Sequence, residues 1–301
     1  MKLSVVVCTY NRDRYIYECL SCLVKNKFQG EWELLLVDNN STDNTKNECE
    51  RFVVDYTPSN YRYIKETNQG LSYARNRGIA ESSGDWVVFL DDDAYVSESY
   101  LSTLSYWLTR YPEAGAFGGA IEPVFEDIEP KWINPWSLSF VSALNLGDEP
   151  CLFEANKYPI GANMGISRAT IDLVGVFNTS LGRTGDNLLG GEEKDMFSRI
   201  RQLNIPIVYF PNIKVEHCIP PKRTTKEFIA KMGYGIGISE RLRTRKLGGF
   251  SYVKRICAEF VKWGGTMVIW FYYVIRGHYP KGEILVLFRY NVSKGLLLGE
   301  K

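Results

Sequence analysis

Three aspartates in a row, Asp91-Asp92-Asp93, follow directly on the apolar run WVVFL. Adjacent carboxylates repel one another and gain nothing from burial. A hard divalent cation resolves that conflict. Oxygen-rich sites suit Mn²⁺ or Mg²⁺, and such a metal commonly bridges to substrate phosphates. Two further polar clusters, Thr9-Tyr10-Asn11-Arg12 and Asp38-Asn39-Asn40-Ser41, each follow an apolar run of their own. Asp38 can accept a hydrogen bond from a base N–H. Arg75 and Arg77 compete for a pyrophosphate, because a guanidinium makes bidentate phosphate contacts. A solvated turn or a helix cap is the plainer account of the aspartates, and their place beside two other polar clusters weighs against it. No G-x-x-x-x-G-K-S/T or G-x-G-x-x-G sequence is present, so neither an ATPase nor an NAD reading is supported. No Ser-His-Asp or G-x-S-x-G arrangement offers a nucleophile.

The elements that must carry these residues alternate. Residues 3–9 are a continuous β-branched run, as in a strand buried on both faces. Residues 14–24 have helical periodicity. Further strands are expected at 32–37, 61–64 and 86–90, and helices at 42–54, 71–80 and 98–108. Alternation of this kind implies right-handed β-α-β crossovers, a mostly parallel sheet and helices on both faces. Ligands of such sheets bind beyond the carboxyl ends of the strands, where all three polar clusters fall. Later strands are expected at 115–121, 158–167 and 205–210, helices at 168–174 and 192–203, and a loop at 123–136. The glycine-rich stretch 180–191 reads as mobile. From residue 224 onward the chain reads helical, broken at Gly248-Gly249, Gly264-Gly265 and Gly277.

The segments VVVCTYNR, LLLVDNNSTDNT, NQGLSYARNRGI, VVFLDDDA, YPIGANMGISR, LLGGEEKD and VEHC resemble, in that order, a family 2 glycosyltransferase of the GT-A fold. The resemblance runs from about residue 3 to about residue 220. It implies a Rossmann-like α/β catalytic domain over 1–221, divided into a nucleotide-binding half (1–120) and an acceptor-side half (121–221), with a helical tail at 222–301. It implies that Thr9, Asn11, Arg12 and Asp38 hold the nucleoside, and that Arg75 rather than Arg77 lies near the diphosphate. Asp91 then lies near the ribose with Asp92 beside it on the donor, and Asp93 ligates the metal. The stretch 161–164, with Asn163 and Met164, lies beside the transferred sugar and the acceptor. The family's general base is the Asp of a Glu-Asp pair, where this chain has Glu192-Glu193. Either Glu193 is the base with a shifted backbone, or Glu192 takes over, with Asp195 an outside candidate. Acidic residues also stabilise a helix N-terminus, and the two roles do not compete. His217 is one of only two histidines. A lone histidine is more often structural, and the family often has one near this point that joins the metal or the diphosphate.

The reaction implied is a single displacement with inversion, moving a sugar from a nucleotide-diphosphate sugar (UDP the commonest) to a saccharide or lipid-linked acceptor. A sugar-phosphate nucleotidyltransferase is the competing enzyme, but a Gly-rich loop should then stand where TYNRDR does. A degenerate transferase kept as an assembly subunit is the non-enzymatic alternative, and the intact acidic residues argue against it.

Charge is divided along the chain. Residues 1–221 hold 20 Lys/Arg against 30 Asp/Glu, and residues 222–301 hold 16 against 5, a net −10 and +11. The basic tail also contains WGGTMVIWFYYVI at 263–275, thirteen uncharged residues between Lys262 and Arg276. That is shorter than a membrane span, which takes about 20 apolar residues. An interfacial segment beside a polybasic stretch, touching an anionic membrane, is the expected role, and an arm packing on the catalytic domain or a second subunit is the alternative. Nucleic-acid binding would leave the acidic rim without purpose. Seven scattered cysteines, without a second C-x-x-C, fit free thiols in a reducing compartment. The start MKLSVVVCTYNRDR lacks the apolar length of a signal peptide, so the expected place is the cytoplasm, on the inner face of the cell membrane.

Overall fold

A computed structural model describes residues 1–155, 157–185 and 190–299. Two compact units are present. A sheet unit takes Met1–Val124, Ser142–Ser180 and Glu192–Cys218, and a helical unit takes Phe125–Val141, Leu181–Gly191 and Ile219–Lys301. The expected cut at residue 221 is linear, whereas each unit here draws on separate stretches of chain. Residues 186–189, inside the glycine-rich stretch and the LLGGEEKD segment, lie outside the described residues.

The sheet unit begins with β1 (Leu3–Thr9), α1 (Asp13–Val24), β2 (Trp32–Asp38), α2 (Thr45–Tyr56), β3 (Tyr61–Lys65), α3 (Leu71–Glu81) and β4 (Trp86–Asp91). Then follow β5 (Ala94–Val96), α4 (Tyr100–Arg110), β6 (Ala116–Phe125), β7 (Cys151–Leu152), β8 (Asn163–Ser167), α5 (Arg168–Val174), α6 (Glu192–Gln202) and β9 (Ile207–Ile219). The strand order is β3-β2-β1-β4-β8-β6-β9-β5, with β7 paired to β9. The first four strands are mutually parallel. The rest of the sheet is different: β8 joins β4 antiparallel, β6 joins β8 antiparallel, and β5 and β7 join β9 antiparallel. Expecting a mostly parallel sheet therefore suits the nucleotide half and not the second half.

Period-two alternation explains the layering. Val5, Val7, Leu34, Leu36, Val88 and Leu90 pack with α1, α2 and α4 on one face. Val6, Leu35, Val37, Val87 and Phe89 pack with α3, α5 and α6 on the other. Helices thus cover both faces. The register sets Thr9 opposite Asp38 and Cys8 opposite Asp91, which brings the three polar clusters to one rim.

The helical unit contains α7 (Lys226–Lys246), α8 (Gly249–Ile275) and α9 (Tyr279–Leu298). A Cβ at Gly237 would lie 2.2 Å from the Val292 carbonyl, and one at Gly295 would lie 2.2 Å from the Tyr234 carbonyl. Glycine at both positions is what allows the α7 and α9 backbones to touch. The break expected at Gly264-Gly265 does not occur, and α8 runs through both. Each glycine costs a helix about 1 kcal/mol relative to Ala. Glu259, Thr266 and Tyr273, buried on either side of the pair, anchor the helix across it.

Candidate active site

Backbone conformation shapes the first two loops. Asn11 is left-handed (φ 53°), a conformation that asparagine tolerates, and turns the chain sharply after β1. Its N–H donates to Ser41 Oγ at 2.9 Å, and its Oδ1 accepts from the Thr42 N–H at 2.8 Å. The Arg12 N–H donates to Thr45 Oγ1 at 2.8 Å, so the loops after β1 and β2 are tied together. Asp38 is buried. Its Oδ1 accepts from the Ser41 N–H at 2.8 Å, and its Oδ2 accepts a close hydrogen bond from the Tyr63 hydroxyl. Burial, then the bond to Asp38, push the Tyr63 hydroxyl well above the usual tyrosine range. Thr9 is buried at the end of β1.

The aspartates occupy the turn from β4 into β5. His217 enters from β9, where the register sets it opposite Ala94. Its Nε2 lies 3.0 Å from Asp93 Oδ1, with both side chains buried. The ligand atoms of Asp91, Asp93 and His217 all lie within 4.8 Å of one another. Arg12 relieves the crowding by reaching Asp92 Oδ1 at 3.5 Å and Asp93 Oδ2 at 3.6 Å. Asp92, Asp93 and Asp91 hold the Arg12 guanidinium above its ordinary pKa against the cost of its burial. Burial pushes Asp92 up to about 7, with Arg12 opposing the shift and Asp93 adding to it. Two carboxylates and one imidazole converge while the third carboxylate turns to a guanidinium. That donor set fits a hard divalent cation.

A second charged group stands where α6 begins. Arg75, buried on α3, donates from one terminal nitrogen to Glu192 Oε1 at 3.1 Å and from the other to Glu193 Oε1 at 3.0 Å. Glu193 Oε1 also accepts from the Gly161 N–H at 2.8 Å. A Cβ at position 161 would fall 1.9 Å from the Arg75 guanidinium and 2.4 Å from Glu193 Oε1, so a side chain there would push this charged group out of its present place. Burial works against the Arg75 charge, but Glu193, Glu192 and Asp91 outweigh it and raise its pKa. Glu192 Oε2 is buried without a hydrogen-bond partner among the described residues. Cys8 lies in the field of both groups: burial pushes its thiol up to about 12, Arg75 opposes that, and Asp91 and Asp92 add to it.

Several expected residues are placed differently. Arg75, expected at a diphosphate, has two carboxylates as its partners within the chain. Arg77 pairs with Glu81 on the exposed side of α3, so the two arginines are sorted by burial. Asp195 pairs with Arg199 at 3.1 Å, one turn along α6. Asn163 is fully buried: its Oδ1 accepts from the Tyr100 hydroxyl, and its amide donates to the Ala120 and Ile213 carbonyls. Met164 belongs to the core. The segment therefore presents its Gly161 N–H to the charged group, and the Asn163 and Met164 side chains hold the sheet together instead. Sequence reasoning did not single out Asn39, which is buried. Its amide donates to the Glu66 and Asn68 carbonyls, and its Oδ1 accepts from the Gly70 N–H, fixing the start of α3. Phe177, with the Arg75 guanidinium 5.4 Å from its ring centre, was missed too, because a lone core aromatic carries no signal of its own.

The description "Glycosyl transferase family 2" belongs to a family model that matches residues 4–172. The glucosyl-dolichyl phosphate glucuronosyltransferase of Haloferax volcanii is 27% identical over 248 residues, covering 80% of this chain and 77% of that protein. The GalNAc(5)-diNAcBac-PP-undecaprenol beta-1,3-glucosyltransferase of Campylobacter jejuni is 33% identical, but over only 34% of this chain and 33% of its own length. Among solved structures, the mannosyltransferase PcManGT from Pyrobaculum calidifontis, in complex with GDP-Man and Mn²⁺, superposes with a TM-score of 0.65 at 16% identity. That match covers 99% of this chain and 88% of the other, and at such identity it shows the fold alone.

Proposed function

The chain belongs to glycosyl transferase family 2 and is a glycosyltransferase, and on that premise we propose an inverting, metal-dependent enzyme that moves a sugar from a UDP-sugar to a lipid-linked or saccharide acceptor. One observation carries the reading: a buried arginine is shared by two adjacent glutamates, within the field of a convergent Asp-Asp-His group. Glu193 is the proposed base. It is the more exposed of the pair, 19% against 6%, and its Oε1 is fixed from two directions. It takes the proton of the acceptor hydroxyl as that oxygen attacks the anomeric carbon, and the nucleoside diphosphate leaves from the opposite side. Arg75 orients both glutamates. Asp38 accepts from the base N–H, with Thr9, Asn11 and Arg12 around the nucleoside and Asp92 beside the donor. Asp91, Asp93 and His217 would hold Mn²⁺ or Mg²⁺, which supplies positive charge against the leaving diphosphate.

The names of the two relatives described above, a dolichyl phosphate and a PP-undecaprenol enzyme, support a lipid-linked acceptor. The helical unit is then the part that meets an anionic membrane, peripherally and from the cytoplasmic side. No helix among the described residues is long and apolar enough to cross a membrane. Calorimetry with UDP is the test. Binding in Mn²⁺ that disappears on chelation supports the reading, and absence of UDP, dTDP and GDP binding in both conditions overturns it.

A further inference from the structure

Part of the helical unit's charge is paired within it, although most of its lysines are exposed. Glu259 accepts from Arg255 at 2.6 Å and from Arg289 at 3.0 Å. Glu240 takes Arg255 at 3.0 Å and Arg243 at 3.1 Å. Three of the tail's arginines, half-buried, are therefore paired within it. The outward face of α8 is apolar instead. Phe250, Phe260, Val261, Val268, Phe271 and Ile275 are each between 54% and 84% exposed. Their spacing keeps them on one stripe along a 27-residue helix, about 40 Å long. The one acid of α8, Glu259, is buried on the opposite side, while Lys254 is exposed at the edge of the stripe.

We propose that this stripe is the surface that docks on an anionic bilayer. α8 lies in the plane of the interface with its aromatic and branched side chains in the headgroup–acyl boundary. The inference rests on the membrane reading above and changes its physics: apolar insertion carries most of the binding, and the basic charge carries the smaller part. Charge complementarity selects the occupant. An anionic headgroup layer complements Lys254 at the edge of the stripe, whereas a second copy seated on the same face brings no exposed acid of α8 to pair with it.

Cys257 provides the probe, because it is the one exposed thiol of the seven cysteines. The full chain is labelled there with an environment-sensitive dye and mixed with phosphatidylcholine–phosphatidylserine vesicles. The expected result is a blue-shifted emission and co-flotation that weakens less than about tenfold from low to high salt. Phe260→Ser with Phe271→Ser should lower the bound fraction by more than about tenfold, since each phenylalanine contributes apolar area at the boundary. Melting and Mn²⁺-dependent UDP binding should not change. Val268→Asn with Ile275→Asn repeats the test should the first pair disturb folding. Full-strength flotation of both double variants overturns the stripe while leaving membrane binding standing. A wild-type chain that stays in the supernatant at both salts overturns membrane binding itself, with UDP binding reporting separately on the enzyme. A dye shift that depends on protein concentration without vesicles, together with a dimer in light scattering, assigns the stripe to a second copy and overturns the proposal.

Discussion

Both units bury charge, and they do so in opposite ways. In the helical unit, Glu240 and Glu259 are closed around Arg243, Arg255 and Arg289. In the sheet unit, burial at the rim leaves business unfinished. Asp92 is held at about 7 by burial, Glu192 has a buried oxygen with no partner among the described residues, and Asp91, Asp93 and His217 converge on one place. Charge closed on itself gives a specific packing arrangement, and charge left open at the ends of strands is what a ligand completes.

The largest effect should come from opening the rim further. Asp93→Ala is expected to lower turnover roughly 10³-fold and to abolish metal-dependent donor binding, with the fold intact. Isothermal titration with UDP in Mn²⁺ checks this, and unchanged affinity would remove Asp93 from the metal. Next, Glu259→Leu leaves Arg289 without its carboxylate and Arg255 with Glu240 alone, and should cost about 3 kcal/mol. Hydrogen exchange should show the loss in α8 and α9, with β1 and β4 protected as before. Burial raises the Glu259 pKa, but the hydrogen bonds from Arg255 and Arg289 outweigh it and bring it below 4.5. The stabilisation is therefore present above 4.5 and disappears as pH falls through the lowered value. The wild-type helices should lose protection in that range, and the Glu259→Leu chain should lack that slope.

Glu193→Gln should reduce kcat about 10²-fold at unchanged donor affinity, as expected of a group acting only in the chemical step. A dead Glu192→Gln beside an active Glu193→Gln would move the base to the buried partner. The smallest effect belongs to Arg77→Ala, which breaks an exposed pair one turn along α3 and should change stability by less than about 0.5 kcal/mol. A large loss of activity there would collapse the distinction between the two arginines.

The nucleotide half was readable from sequence because its strands announce themselves. Leu3–Thr9 and Trp86–Asp91 are short apolar runs ending in polar clusters, and register alone brings those clusters together. The second half was harder. Pro211 sits inside β9, which runs on past the expected end of the strand at 210. The residues beyond it carry a signal that could have been used: Ile213, Val215, His217 and Ile219 are buried, and Lys214 and Glu216 are exposed. That alternation places His217 on the buried face. The role of Arg12 against Asp92 was not legible, because repulsion among three carboxylates points to any cation and cannot choose between a metal and a guanidinium. Nor do the motifs tell Asn163 the core residue from Asn163 the acceptor contact; three internal hydrogen bonds do.

His217 stands on the same continuous strand as Tyr209 and Phe210, which are packed in the core, and it is laddered to β5 directly after Asp93. Two of the three converging donors thus have almost no configurational freedom left to lose when an ion arrives. Folding and ion capture are uncoupled in such a protein, unlike small domains that exist only with their metal. With the metal dependence proposed above, chelation should silence turnover without unfolding the protein, and re-addition of the ion should restore turnover at the speed of diffusion rather than of refolding.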